Sequence, residues 1–370
     1  MTLLIAFLCA FILMGIQRYI YSKYWNHKLD VRISYKNCNC VAGEDNVLKE
    51  VIINNKSLPL PMLHVKFDTP RSFVFENENN SSITDNYYRD DVFTIMGHQS
   101  VTRTLKFKCT KRGCFYMHDT NITSSDLFLR LTLTDHRDNH AVIHVFPQKV
   151  NLSFFDIPFN TITGIFATQK TFIEDPFEFK GIREYQPYDG MKKINYKSSA
   201  KHNSLQVNTF FMTSSQEVHI VLNLDAQTYS RDDRMTEATI SLASSIAEKF
   251  IGAGIPVAIT TNGIDTFTGE QILKEAGGGT NHMLSIDTSL ARIDNHAENI
   301  NFSTVLSNCF STINEQTYYI IISNARNEEL IGIYENAKQN GAASYYIIPE
   351  LKQFPVNESI SDMIKWNIEY

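Results

Sequence analysis

Three regimes of hydrophobic patterning follow one another along the chain. Thr2 to Ile16 is apolar and carries no charge, and the run continues through Gln17 and Arg18 to Tyr21. A membrane-spanning helix needs about 20 mostly apolar residues. This run reaches that length when Arg18 snorkels its guanidinium to the headgroups, with Tyr19, Tyr21, Tyr24 and Trp25 as an aromatic belt. From about Asp30 to Gln148 the period is two. Val31, Ile33 and Tyr35 alternate with polar residues, and so do Leu63, Val65 and Phe67, then Leu105, Phe107 and Cys109, then Leu127, Leu129, Leu131 and Leu133. Turn clusters at Asn77 to Ser82 and at Asp135 to Asn139 punctuate the alternation. This pattern predicts a β-sandwich-like domain over residues 30–150.

The third regime begins at Glu217. Val218 to Leu224 is a strand apolar almost throughout, ending at Asp225. Met235 to Ala253 follows, with Ile240, Ala243, Ile246, Ala247 and Phe250 on one helical face and Gly252 and Gly254 closing it. Strands at Ile255–Thr261, Tyr318–Ile322 and Ser344–Ile348 alternate with helices at Asp287–Asn314 and Glu328–Gln339. Buried strands alternating with helices predict a doubly wound, parallel α/β domain over residues 216–370. Residues 151–215 lack a clear period and read as a connecting segment. The whole is an α+β multidomain chain: anchor (1–25), sandwich, connection, α/β domain.

Composition sharpens this picture in three ways. A net charge of -6 over 370 residues argues against a general nucleic-acid binder. No basic residue precedes the apolar run and no small-x-small site follows it, so an uncleaved anchor fits better than a signal peptide. Leu8 precedes Cys9 where a lipid-attachment site needs a small residue. Arg18, Lys23, Lys28 and Arg32 all follow the run, which places the bulk of the chain in the cytoplasm by the positive-inside rule. Four of the six Cys, at 38, 40, 109 and 114, fall in the sandwich. Their Cys-x-Cys and Cys-x4-Cys spacings are loose matches to zinc sites, and free Cys is equally a core residue. No phosphate loop, dinucleotide fingerprint, nucleophile elbow or His-Glu-x-x-His motif occurs. His296 reads as a helix-surface residue, and Asp232 and Asp233, flanked by Arg231 and Arg234, as a surface ion network.

The chain is organised around Gly181 to Lys201. Pro187-Tyr188-Asp189-Gly190 is a turn. Arg183, Lys192, Lys193, Lys197 and Lys201 make the stretch basic, and Tyr185, Tyr188 and Tyr196 interleave rings. By itself it reads as a solvated hairpin, two extended pieces around residues 187–190. Arg183, Tyr185, Pro187, Asp189, Ile194, Lys197 and Ala200 also fall in a pattern that resembles the signature of the domain of unknown function 58 family, a set of prokaryotic membrane-associated proteins. Lys192, Tyr196 and Lys201 stand for that pattern's Arg, Trp and second Arg. Tyr188 replaces its Gly, which shifts the turn towards Gly190. Arg112-Gly113, Ser125-Asp126 and Val145-Phe146-Pro147 sit where the family keeps related corners. The resemblance runs from about residue 30 onward and is strongest at the signature.

The resemblance implies a C-terminal domain like the von Willebrand factor A domain. Its metal site would need Asp-x-Ser-x-Ser, a later Thr and a further Asp, oxygens that suit Mg²⁺. Here Asp225-Ala226-Gln227-Thr228-Tyr229 keeps the Asp and loses both Ser. Thr280, after Gly277-Gly278-Gly279, is the candidate Thr, and Ser323-Asn324 replaces the last Asp. The alternative role of Asp225 is to cap the loop that follows it. By resemblance the chain is a non-enzymatic accessory partner of a MoxR-type AAA+ ATPase, without cofactor. Arg183, Tyr185, Pro187, Asp189, Lys192, Tyr196 and Lys197 are then its partner surface. The competing expectation is a metal-dependent ligand-binding or adhesion module built on Asp225 and Thr280.

Overall fold

Helix α1 (Thr2–Tyr24) is long and apolar enough to cross a membrane, and its last turn is built into the domain that follows. Tyr21 is 1% exposed and donates its hydroxyl to the Pro59 carbonyl at 2.8 Å; Trp25, 4% exposed, joins the domain core. The expected aromatic belt is corrected accordingly. Tyr19 and Tyr24 are exposed, whereas Tyr21 and Trp25 are withdrawn because burial of these rings in the sandwich removes more apolar surface from water than an interfacial position would. The computed structural model describes residues 2–76, 81–83, 86–169, 174–187, 189–202, 204–212, 216–225, 233–295, 299–311, 313–314, 316–325, 327–350 and 362–368. These fall into two compact units, Met1–Gln148 with Asp287–Arg292, and Lys149–Ile286 with Ile293–Tyr370.

The first unit carries β1 (Leu29–Tyr35), β2 (Asn39–Val41), β3 (Asp45–Asn54), β4 (Leu60–Pro70), β5 (Phe73–Phe75), β6 (Ser81–Ile83), β7 (Asn86–Ile95), β8 (Gln99–Cys109), β9 (Gly113–Ser125) and β10 (Thr132–Phe146). They form a four-stranded sheet, β1-β3-β8-β5, and a six-stranded sheet, β2-β10-β9-β4-β7-β6. Alternate residues of both sheets meet in one core. Leu48 and Ile52 of β3 and Phe107 of β8 come from one sheet, Leu63 and Val65 of β4 and Ile122 of β9 from the other. The period of two thus marks the buried faces of two packed sheets.

One stretch of that alternation is not a strand. Leu127, Phe128 and Leu129 lie in the β9–β10 loop and are exposed. The loop closes here because the Asp126 carboxylate accepts the backbone N–H groups of Arg130 (2.7 Å) and Leu131 (3.1 Å). The expected turn at Asp135–Asn139 lies inside β10, where it leaves only an irregularity between Asp138 and Ala141.

The second unit begins with α2 (Asp156–Gln169), β11 (Glu174–Glu184), α3 (Tyr196–His202) and β12 (Gln206–Met212). The supposed connection is therefore structured. Phe155, Ile162 and Phe166 are buried, and Phe155 and Phe159 pack their rings against Phe250. The remaining elements are β13 (Glu217–Leu222), α4 (Asp233–Gly252), β14 (Val257–Ile264), β15 (Gln271–Gly277), α5 (Gly279–Ala291), α6 (Phe302–Phe310), β16 (Thr317–Ile322), α7 (Glu328–Gln339), β17 (Ser344–Glu350) and β18 (Met363–Asn367). The sheet order is β15-β14-β13-β16-β17-β18. Every neighbouring pair is parallel except β14 with β15. The expectation of a wholly parallel sheet is corrected at that edge. The Asp265 carboxylate accepts the N–H of Phe267, and Gly269 takes φ +66°, so the chain turns back at once instead of crossing over.

From β13 the chain moves one way to β14 and later the other way from β16 to β17. Right-handed crossovers then put α4 and α7 on opposite faces. On the α6–α7 face, Val221, Tyr319 and Ile321 meet Phe302, Leu306 and Leu330. The order reverses between β13 and β16, which opens a crevice at their carboxyl ends.

Candidate functional site

The signature stretch is an excursion between two paired strands. β11 and β12 run antiparallel, with Arg183 opposite Val207 and Glu184 opposite Gln206. The excursion is not two extended pieces. After a turn it makes a short 3-10 segment, Met191–Lys193, and then α3. Asn195 starts that helix by accepting the Ser198 N–H at 2.9 Å, and it is itself held by the Gln206 carbonyl (2.8 Å) and the Asn208 side chain (2.8 Å). The Asx-type start explains why a basic, Tyr-bearing stretch turns helical.

Arg183 and Asp189 close the turn. Nη1 and Nη2 of Arg183 donate to Oδ2 and Oδ1 of Asp189, each at 2.6 Å. Asp189 Oδ2 also accepts the Gln186 N–H at 2.8 Å, and the Asp189 N–H donates to the Gln186 carbonyl at 2.9 Å. The Asp189 side chain is left 7% exposed. The Arg183 guanidinium, helped by the Gln186 N–H, holds its carboxyl below the usual carboxylate range. Gly190 is not the pivot expected for the shifted turn. It takes φ -69°, so the clamp shapes the loop where a left-handed glycine was anticipated. Tyr185 is half-buried and donates its N–H to the Leu205 carbonyl at 2.8 Å. Pro187, Lys192, Tyr196 and Lys197 are exposed, Tyr196 at 73%. Met191 and Leu205 are exposed beside them. Tyr188 lies outside the described residues.

The second candidate place is the crevice beyond β13. Asp225 Oδ1 accepts the side-chain amide of Asn262 at 2.8 Å and that of Asn299 at 3.3 Å. Asn262, at the end of β14, also accepts the Leu224 N–H at 2.8 Å. Asn223 accepts the Asp225 N–H at 2.9 Å and donates to the Ser323 hydroxyl at 2.9 Å. Ser323, beyond β16, in turn accepts the Ala325 N–H at 3.0 Å. A cleft of about 260 Å³ opens above, lined by Asp225, Asn301, Ser303 and Asn327 among others.

Thr280 is not part of this crevice. Gly277 pairs with Val257, at the start of β14, and His282 hydrogen-bonds the Val257 carbonyl at 2.8 Å. Asp225 contacts Asn262 at the other end of β14, roughly 17 Å away at strand rise. The antiparallel course of β15 is the reason. Gln227 and Tyr229 lie outside the described residues, as do Asp232 and His296. Among the described residues, the groups facing Asp225 are not those of a Mg²⁺ site. A hard cation needs several convergent oxygens, yet Oδ1 of Asp225 is faced by amide N–H groups. Among the described residues no cluster of three or more His, Cys, Asp or Glu is disposed to hold a metal.

The sandwich cysteines also pair off differently from a zinc set. Cys40 and Cys109 bring their Sγ atoms to 3.4 Å in the core, Cys114 faces His144 Nδ1 at 3.1 Å, and Cys38 is exposed. Asn262 and Asn299 are the residues that motif reading missed. The rule that α/β sites gather at strand carboxyl ends would have pointed to Asn262, two residues after Thr260 in a buried strand.

No family model matches the chain, and no curated protein matches it. Among solved structures it is similar to a CARDB domain from Pyrococcus furiosus, at 12% identity over 30% of this chain and 93% of that one, with a TM-score of 0.19. It is also similar to a non-cellulosomal cohesin from Archaeoglobus fulgidus, at 13% identity over 34% and 94%, with a TM-score of 0.20. A type I cohesin from Pseudobacteroides cellulosolvens gives 13% over 32% and 91%, with a TM-score of 0.21. Overlaps at these scores say nothing of what the chain does.

Proposed function

We propose that the chain is a membrane-anchored, non-enzymatic interaction protein with its bulk in the cytoplasm. Its partner is a MoxR-type AAA+ ATPase acting in protein assembly or maturation, and the signature excursion is the surface offered to it. The observation that carries this reading is the exposure of Lys192, in the 3-10 segment, and of Tyr196 and Lys197, at the start of α3, just after a turn tied down by Arg183 and Asp189. Exposed cations and a ring on a braced loop suit an acidic partner met through charge and ring contacts. The C-terminal unit is read as a von Willebrand factor A-like domain with an eroded metal site: a doubly wound sheet whose first strand leads to Asp225. The amide donors on Asp225 weigh against the adhesion-module reading. A dinucleotide reading of the same strand order fails on sequence, because Ala226 to Asp232 contains no glycine to cradle a pyrophosphate.

Capture of a co-expressed MoxR-type ATPase by the detergent-solubilised full chain tests the proposal. Lys192→Ala with Lys197→Ala weakens capture, and rising salt weakens capture by the unaltered chain in the same sense. Equal capture by both chains at every salt concentration sinks it.

A further inference from the structure

Helix α1 is clear of the first unit only over its early turns. Residues 3–16 are exposed. From Gln17 on, the sandwich grips the helix: the Gln17 side chain hydrogen-bonds the Asp126 carboxylate, Tyr21 bonds Pro59, and Asn26 donates to Asp135 at 3.5 Å. These contacts hold the sandwich directly beside the apolar run.

The part of the sandwich beside Gln17 is the β9–β10 loop, and it presents three consecutive large apolar side chains to solvent. Leu127 is 52% exposed, Phe128 54% and Leu129 60%. Such a run on a soluble surface wastes apolar burial. The display is built rather than frayed. The Asp126 carboxylate fastens the backbone of Arg130 and Leu131. Leu129 donates its N–H to the Asp126 carbonyl at 3.0 Å and is held at φ +57°, a conformation uncommon for a residue of its bulk. Arg130 on the loop and Arg18 on the helix are both exposed next to it.

We propose that Leu127–Leu129 is a second membrane contact, seated in the interfacial layer of the bilayer that α1 spans, with Arg18 and Arg130 at the headgroups. This rests on the reading of α1 as a membrane anchor. The loop and the helix together set the tilt of the sandwich on the membrane.

Photocrosslinking of the full chain in phosphatidylcholine–phosphatidylglycerol liposomes separates the outcomes. A benzophenone-bearing phenylalanine replaces Phe128, Ile12 in α1 or Val74 in separate preparations. Val74 pairs with Lys108, and Asp45 also pairs with Lys108, whereas Leu29, just after α1, pairs with Asn54 at the other end of β3. Lipid adducts are expected at 12 and 128 and not at 74. Adducts at 12 with none at 128 overturn the loop contact and leave the anchor intact. Adducts at 128 to a second copy of the chain in place of lipid also overturn it, by making the loop a self-interface. Absence of adducts at 12 overturns the anchor and the loop contact together.

Discussion

Arg183 and Asp189 meet through two parallel N–H···O bonds of 2.6 Å, six residues apart and on either side of the signature turn. The pair braces the turn that leads into the 3-10 segment bearing Lys192 and into α3 with Tyr196 and Lys197. Bidentate geometry makes it directional as well as strong, so the two side chains act on loop shape more than on global stability.

Asp189→Ala is expected to speed amide exchange at Gln186, whose N–H it accepts. Lys192→Ala and Lys197→Ala leave thermal stability nearly unchanged, since exposed charges contribute about 0–1 kcal/mol. The carboxyl is held below its ordinary value of about 3.9. A depressed folded-state value means that its contribution is present above the unfolded value and is lost as pH falls through the folded one. Gln186 protection in the unaltered chain therefore falls towards that of Asp189→Ala only in strong acid. Equal exchange at Gln186 in the two chains at neutral pH would show that the ion pair is not what braces the loop.

At the crevice, Asp225→Ala removes one acceptor from each of two amides: Asn262 keeps the Asn223 Oδ1 (3.3 Å) and the Ile300 carbonyl (3.2 Å), and Asn299 keeps the Leu224 carbonyl (3.1 Å). An expected loss of about 0.5–1.5 kcal/mol follows from the hydrogen bonds removed, while Asp225→Asn, which keeps an acceptor oxygen, costs less. Mg²⁺ or Mn²⁺ added to the full chain should leave the melting temperature unmoved. Micromolar binding of either ion, abolished by Asp225→Ala, would mean that the amides yield to a cation after all.

Glu50 sits in the sandwich core beside Asp91, which Arg103 approaches at 3.0 Å and Arg89 at 3.3 Å. Burial first, and then the Asp91 carboxylate, pushes the Glu50 carboxyl up to about 9. With a folded value above the unfolded one, its contribution is full below about pH 4.3 and is lost as pH rises towards the folded value. Glu50→Gln fixes the neutral form. The variant's melting temperature should gain on the unaltered chain steadily from about pH 5 to about pH 9. Parallel pH profiles for the two chains would indicate that Glu50 is ionised in the fold.

Thiol reactivity should follow burial in the sandwich. Cys38 is exposed, whereas Cys40 and Cys109 lie in the core. Under native conditions an alkylating reagent is expected to modify Cys38 quickly and to reach Cys40 and Cys109 only at the rate at which the sheets open. Equal modification of the three, read by mass spectrometry of the digest, would contradict the packing of β2 against β8.

Local pattern in the sequence was enough for several of these features. The uncharged run of Thr2 to Ile16 specifies a helix apolar on all sides. The period of two through β1, β3, β4 and β8 specifies half-buried strands, and the apolar runs at β13, β14, β16 and β17 specify buried ones. The Arg183–Asp189 contact spans only six residues of one turn, so it depends on no distant element.

Tertiary structure alone decided which distant groups meet. Asp225 is held by Asn262 and Asn299, 37 and 74 residues further on, a choice made by strand order in the sheet. Thr280 is carried to the far end of β14 by the reversed direction of β15, a choice made by a six-residue turn with no hydrophobic signature. Tyr21 and Trp25 look like membrane-belt residues until the sandwich closes over them, and Leu127 and Leu129 look like strand residues until the Asp126 carboxylate captures the backbone at Arg130 and Leu131. Periodicity reports which face of an element is apolar. What that face meets depends on the direction and neighbours of every other element, and no local window of sequence contains them.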